Sequence, residues 1–454
     1  MSTTLQDPTD KVTRRRFLTT ATAVSTFVIV PRHVLGGPGE QPPSGKMNIA
    51  GIGVGGRGMG LLTSLGSQNI VAVCDPDDRH LTTAAKQWPA AKRHRDFRRM
   101  IETQQDIDAV VVATPDHLHF VASMWAIKSG KHVYCEKPLT RTIGEARVLA
   151  KVARESKVAT QMGNQGNADE GVRLMQEWIG AGALGTVSQV HCWTNKPVWP
   201  QGIHRPSDTP PVPAELDWDL WLGPAAQRPY HPAYLPFVWR GWWDFGSCSL
   251  GDMGCHVLNS PWRALKLGLP TSVEAYSNGC TDETGPRSSI IYYDFPARGD
   301  LGPVRLTWYD GGMMSPRPPE LEHFYRMGDN EGCLFVGDKA SMICSCYGGA
   351  PRILPTARMQ EFKATPKTIP RSPGHLEEWL AASRGGPPAG SHFEHSAILA
   401  EVVQLGNLGV RFGANQKENG RPVKLLWDAA AGRVTNEPDA NRYLLTEPRK
   451  GWEA

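Results

Sequence analysis

The sequence predicts an α/β chain: an N-terminal doubly wound parallel sheet, then an α+β domain whose open sheet is largely antiparallel. Three observations predict this. Gly51, Gly53 and Gly56 form G-x-G-x-x-G between a short apolar run and a helix-compatible stretch. Short β-branched runs then alternate with helical patterns as far as about residue 168. Beyond that point, β-branched and aromatic runs are separated by turn residues such as Gly299-Asp300 and Gly337-Asp338.

Residues 47–50 have the length and composition of a buried parallel strand. The first glycine that follows permits a tight turn, the second lets backbone approach a pyrophosphate, and the third lets helix pack on strand. Residues 59–67 then predict a helix, whose N-terminus offers free N–H groups and a positive dipole end to phosphates. Residues 70–74 predict a second strand ending in Asp75, placed for a carboxylate to meet an adenosine ribose. This is a Rossmann cradle, with Gly51, Gly53, Gly55, Gly56, Arg57 and Asp75 as candidate cofactor contacts. A carboxylate at position 75 repels a 2′-phosphate and favours NAD, while nearby Arg79 keeps NADP open.

Helices are predicted over residues 79–87 and 96–103, and residues 108–113 form a near-continuous β-branched strand. Ligands of open α/β sheets bind at carboxyl ends of strands, which places Thr114, Pro115 and His119 beside the cofactor. A helix over 121–129 leads to a strand over 131–135, ending in Glu136-Lys137-Pro138. A last strand, 158–162, runs into Gly163-Asn164-Gln165-Gly166-Asn167, where Asn164 is the preferred cofactor contact.

A helix over 167–180 carries the chain into the second domain, whose sheet begins at 185–193. The Pro-rich stretch 196–234 is longer than ordinary connections, which predicts an ordered, functional loop. Asp252-x-Gly254-x-His256 begins a predicted helix, with carboxylate and imidazole one turn apart on one side. Strands follow over 273–276, 288–295, 304–309, 332–337 and 340–346, then amphipathic helices over 374–384 and 396–411. Trp199, Trp239, Trp242 and Trp243 are either a sugar-stacking wall or aromatic core.

V-A-T-P-x-x-x-H at residues 112–119 and G-K-H-V-x-x-E-K-P-L at residues 130–139 resemble the Gfo/Idh/MocA family of nicotinamide-dependent sugar and polyol oxidoreductases. The resemblance extends over nearly the whole chain after residue 45. It implies a cis peptide before Pro138, Glu136 at the cofactor, and Lys137 reaching both nicotinamide ribose and substrate. It further implies that Asp252 and His256 face the reacting carbon, His256 as general acid/base. Asn195, Trp199, Arg240, Trp243 and Asn259 are the candidate substrate contacts. Asn259 departs from the family, which often has Asp there. The open sheet is commonly an oligomer interface in the family, so a homo-oligomer is expected. Two alternatives remain: a NAD-dependent glycoside-cleaving enzyme acting by transient C3 oxidation and elimination, and a non-catalytic sugar-binding protein.

The net charge of +4, without any Lys/Arg block, argues against a nucleic-acid partner. Nine cysteines without a C-x-x-C pair argue against a disulfide framework or zinc site, and no metal is expected. Arg14-Arg15 followed by Phe17-Leu18 and the apolar run 21–30 resembles a twin-arginine export signal, too short for a permanent membrane span. That implies the twin-arginine machinery as partner, a periplasmic or exported location and a tightly bound nucleotide. The expected divisions are 1–45 signal and linker, 46–168 Rossmann domain, 169–390 substrate and oligomerisation domain, and 391–454 C-terminal helix and tail.

Overall fold

Six parallel strands form the first sheet of this computed structural model, which describes residues 45–327, 330–415 and 422–454. The expected export signal therefore lies, but for Gly45, outside the described residues. The strands are β1 (Asn48–Ile52), β2 (Asn69–Cys74), β3 (Lys92–His94), β4 (Ala109–Val112), β5 (His132–Cys135) and β6 (Thr160–Met162), in the order β3-β2-β1-β4-β5-β6. The order reverses between β1 and β4, so a crevice opens there at their carboxyl ends. All four residues of β4 are buried, as its unbroken Ala-Val-Val-Val run demands of a strand covered on both faces.

The crossover helices are α1 (Gly56–Ser64), α2 (Asp78–Gln87), α3 (Phe97–Thr103), α4 (His119–Lys128) and α5 (Ile143–Glu155). Asp77 and Asp96 cap α2 and α3, and α5 starts with a full capping box of Thr142 and Glu145. The α5 helix is absent from the sequence expectation, although Thr142-x-x-Glu145 was its legible signal. Edge strand β3 is also absent from it, because Lys-Arg-His carries no β-strand pattern.

The second body opens with α6 (Glu170–Gly180), capped by Asp169, after a single 3₁₀ turn over Gln165–Ala168. Then come β7 (Val187–Thr194), α7 (Trp218–Leu222), α8 (Cys248–Val257), α9 (Asn259–Ala264), β8 (Ser272–Asn278), β9 (Ser288–Phe295) and β10 (Val304–Tyr309). They are followed by β11 (Glu331–Gly337), β12 (Ser341–Ser345), β13 (Arg352–Leu354), α10 (Met359–Phe362), α11 (His375–Ser383) and α12 (Phe393–Asn415). Last come β14 (Leu425–Asp428) and β15 (Arg433–Val434), completing a nine-stranded sheet, β13-β12-β11-β7-β10-β9-β8-β14-β15. Every pairing in it is antiparallel except β7 with β10.

Helices α8 and α12 lay Leu250, Val257, Val403 and Leu408 against Tyr293, Phe295 and Trp308 in one continuous core. Arg147 of α5 makes a bidentate pair with Glu401 of α12, at 2.8 and 2.6 Å, so α12 is tied to both bodies. Trp379 of α11 is fully buried against Tyr134 of β5, with ring centroids 5.7 Å apart. The chain thus returns to the parallel sheet at His375, ahead of the expected division at 391. The Pro-rich stretch is ordered around its own aromatic core of Trp218, Trp221, Tyr234, Trp242 and Phe245. Trp242 belongs to that core and Trp243 to the main one, so neither forms a sugar-stacking wall.

Candidate active site

The cradle is built where β1 meets α1. Gly53 has φ +79° and donates its N–H to the Cys74 carbonyl at 2.8 Å, turning the loop between β2 and β4. A Cβ on Gly58 would lie 1.9 Å from the Gly53 carbonyl oxygen, and one on Gly51 2.6 Å from Leu62. One on Gly56 would meet nothing within 4 Å. The close packing of helix on strand expected at Gly56 therefore falls to Gly51 and Gly58, because Gly56 opens the helix with its missing side chain toward free space. Gly58→Ala, which normally stabilises a helix interior, is expected here to destabilise by about 1–3 kcal/mol and to lose nucleotide binding. Denaturant titration and nucleotide binding check it.

No side chain caps α1, whose N-cap is Gly55, and its first turn carries no acid. Its unsatisfied N–H groups suit a pyrophosphate. Asp75 is buried and accepts hydrogen bonds from the backbone N–H groups of Val54 and Asp77, both at 3.0 Å, so it also braces the glycine loop. Arg79, the cation that kept NADP open, is instead engaged by Asp77 at 2.5 Å. An uncapped helix start, a strand-end carboxylate and no free cation at Arg79 together fit NAD.

Thr114 and Pro115 sit at the end of β4, beside the crevice. His119 lies deeper, 1% exposed, with Nδ1 2.6 Å from the Pro138 carbonyl and Nε2 3.0 Å from the Thr114 carbonyl. Two acceptors require both ring nitrogens to donate, hence an imidazolium. Burial opposes that charge, but Cys135, Asp116 and the Pro138 carbonyl outweigh it and push the pKa up to about 10. His119 is thus a strut joining the ends of β4 and β5 rather than a group presented to the cofactor. Its replacement by Ala orphans two carbonyls and is expected to cost about 2–4 kcal/mol, measurable by denaturant titration.

The Lys137–Pro138 peptide is cis. Lys137 Nζ donates to Asp252 Oδ1 at 2.6 Å and to the Asp252 carbonyl at 2.8 Å, while Arg240 Nε donates to the same Oδ1 at 3.0 Å. Burial would raise the Asp252 carboxyl, but the two cations prevail and hold it at about 2. Arg240 is itself pinned over Trp239 and Phe237, at 4.3 and 4.8 Å, with Trp199 at 5.9 Å. Asp252 lies within α8, one turn before His256, and is not an N-cap.

His256 is 4% exposed, and its Nδ1 has no hydrogen-bond partner. Burial, then the positive charge of Lys137, lowers its pKa well below the ordinary histidine range, so it is neutral. Asn164 donates to Asn259 Oδ1 at 3.3 Å, linking the β6 loop to α9, and its own Oδ1 is buried without a partner. Asn195 Oδ1 is likewise unpartnered. Glu136 accepts from Arg57 Nε at 2.7 Å, and a Cβ on Gly163 would lie 2.7 Å from the Glu136 carboxylate, so that glycine makes room for the pair.

The fold thus brings Lys137, Asp252, His256 and Arg240 together and joins Asn164 to Asn259. Trp243 is not among them: its indole donates to the Thr281 carbonyl, and it faces a different cleft. Tyr347, whose ring stands edge-on to His256 at 4.8 Å, is a site residue that no motif signalled. Among the described residues, no group of three or more His, Cys, Asp or Glu side chains is arranged to hold a metal.

Residues 46–164 match the family model described as an oxidoreductase family, NAD-binding Rossmann fold, and residues 172–268 match its C-terminal alpha/beta domain. Inositol 2-dehydrogenase 2 of Saccharopolyspora erythraea is 30% identical over 172 residues, 37% of this chain and 47% of that protein. The chain thus spans less than half the length of the first curated relatives it matches. The scyllo-inositol 2-dehydrogenase (NAD(+)) of Bacillus subtilis is 27% identical over 84% of this chain and 96% of its own. The WlbA dehydrogenase of Bordetella pertussis, solved with NADH and UDP-GlcNAcA, shares the fold at TM-score 0.57 and 16% identity, covering 84% of this chain and 99% of its own. With matches to both family domains in succession, and with a strand-end glycine cradle, a Glu-Lys-Pro loop and the Asp252–His256 helix in place, residues 46–268 carry the two domains of the Gfo/Idh/MocA oxidoreductase family.

Proposed function

We propose that this protein is a NAD-dependent oxidoreductase acting on a ring hydroxyl, or the corresponding carbonyl, of a sugar, polyol or glycoside. The observation that carries this reading is the Lys137–Asp252–Arg240 cluster beside a buried, neutral His256. Bound nicotinamide supplies the hydride acceptor or donor. His256, unprotonated at neutral pH, accepts the hydroxyl proton as the carbinol is oxidised, a step worth roughly 10²–10⁴-fold. Lys137, aimed by Asp252, stabilises the oxyanion that develops on the same carbon's oxygen. The named activities of the two inositol dehydrogenases support a cyclic polyol or sugar over other alcohols.

The intact Lys137 favours net redox over glycoside cleavage by transient oxidation, and net NADH formation separates the two. The twin-arginine pattern at Arg14-Arg15 supports export of the folded protein with its nucleotide already bound. Outside the cytoplasm no free nicotinamide pool exists, so a second substrate would regenerate the cofactor with ping-pong kinetics. Purification from the cell envelope, denaturation and mass spectrometry of the released nucleotide tests this. Stoichiometric NAD is expected; an empty protein that binds added NADH would contradict a resident cofactor. The open nine-stranded sheet, commonly an oligomer interface in the family, supports a homo-oligomer.

A further inference from the structure

Away from the catalytic cluster, three guanidinium groups gather around one tyrosine. Arg411 lies over the Tyr443 ring at 4.6 Å and over Trp243 at 4.9 Å, and Arg442 lies over Tyr443 at 4.8 Å while donating to its hydroxyl at 2.7 Å. Arg141 stands nearby, with Nη1 on the Trp243 carbonyl at 2.7 Å and Nε buried without a partner. Like charges repel, and burial together with the charge of Arg141 lowers the proton affinity of Arg411.

The acids in the neighbourhood do not neutralise this cluster. Glu145 turns its carboxylate to the backbone N–H groups of Arg141 and Thr142, and Asp244 pairs with Arg228. Asp282, which lines the outer depression, and Asp439, which lies near Arg442, are both exposed to solvent. Among the described residues, no carboxylate forms an ion pair with Arg141, Arg411 or Arg442.

The cluster lines a cleft. An inner part of about 20 Å³, walled by Arg141, Ser247, Gln404, Asn407 and Arg411, shares Arg411 and Tyr443 with an outer depression of about 370 Å³. The inner part holds about one water, whereas the outer one admits a small molecule. Arg411 and Arg442 on rigid aromatic supports, with no ion-paired carboxylate among the described residues, make a receptor for a dianion, since each can fork two N–H donors to oxygen. We propose that Arg411 and Arg442, with Arg141 behind them, bind the phosphate group of a small molecule.

The cleft wall also touches the catalytic segments. Gln404 donates to the Thr140 carbonyl at 2.9 Å, three residues after Lys137, and Asn407 donates to the Ser247 carbonyl at 3.0 Å, just before α8.

The test is calorimetric titration of inorganic phosphate into the full chain saturated with NAD, so that the nucleotide cradle is taken, with ionic strength held by sodium chloride. One saturable site is expected. Arg442→Ala, at an exposed position, should weaken it by about tenfold or more, the loss of one charge-assisted hydrogen bond, and Arg411→Met should abolish it. No saturable binding, or binding unchanged by Arg442→Ala, would overturn the site. Equal affinity for acetate would overturn its assignment to a dianion.

Discussion

Replacing His256 with Ala is expected to lower kcat/KM for polyol oxidation by about 10²–10⁴-fold while leaving NAD bound. The imidazole is buried and its Nδ1 bonds to nothing in the protein, so its loss removes a base without breaking a hydrogen bond there. The wild-type acid limb should fall below pH 6.5, because burial and Lys137 both disfavour the protonated ring. Lys137→Ala removes the second of those influences and should move the limb upward, toward the ordinary histidine value. Steady-state kinetics across pH measures both, and an acid limb above pH 7 in the wild type would count against a neutral His256.

Asp252→Ala is expected to cause the largest loss of stability among changes in the site. It leaves Lys137 and Arg240, 13% and 21% exposed, without the carboxylate that both face. Breaking a buried ion pair by removing one partner costs about 3–5 kcal/mol. Asp252→Asn keeps an acceptor of the same shape and should cost less. The same interaction sets an acid dependence. The folded carboxyl sits at about 2 against an ordinary 3.8, so its stabilisation is complete above about pH 4 and is lost as pH falls toward 2. That contribution is about 2 kcal/mol. Denaturant midpoints at pH 5 and pH 3, wild type against Asp252→Asn, read it directly: the gap between the two proteins should narrow at the lower pH.

The parts of this site that were legible in the sequence are those whose chemistry is local. A glycine loop between strand and helix, an acid at a strand end, and Asp and His four apart on a helix all depend on short-range geometry. Lys137 and Asp252 are 115 residues apart, and only the family resemblance implied that they share a site. Other features depend on what the fold brings near. The strut role of His119 requires the Pro138 carbonyl beyond a cis peptide, and sequence shows only a histidine after a strand. Gly58 matters because a carbonyl from the preceding turn occupies the place of its side chain. Trp243 was expected near the substrate, but Thr281 takes its indole N–H and turns it into another cleft. The parallel pairing of β7 with β10 joins strands more than a hundred residues apart, which no local pattern records.

The most direct test of the central claim is a single-turnover mixing experiment. The NAD-loaded protein is mixed with a panel of inositols and sugars, and reduced nicotinamide is followed by absorbance in wild type and His256→Ala. Reduction by at least one member of the panel, abolished in the variant although it still carries NAD, is the expected result. Equal reduction in both proteins, or substrate conversion with no change at the nicotinamide, would contradict hydride transfer driven by His256.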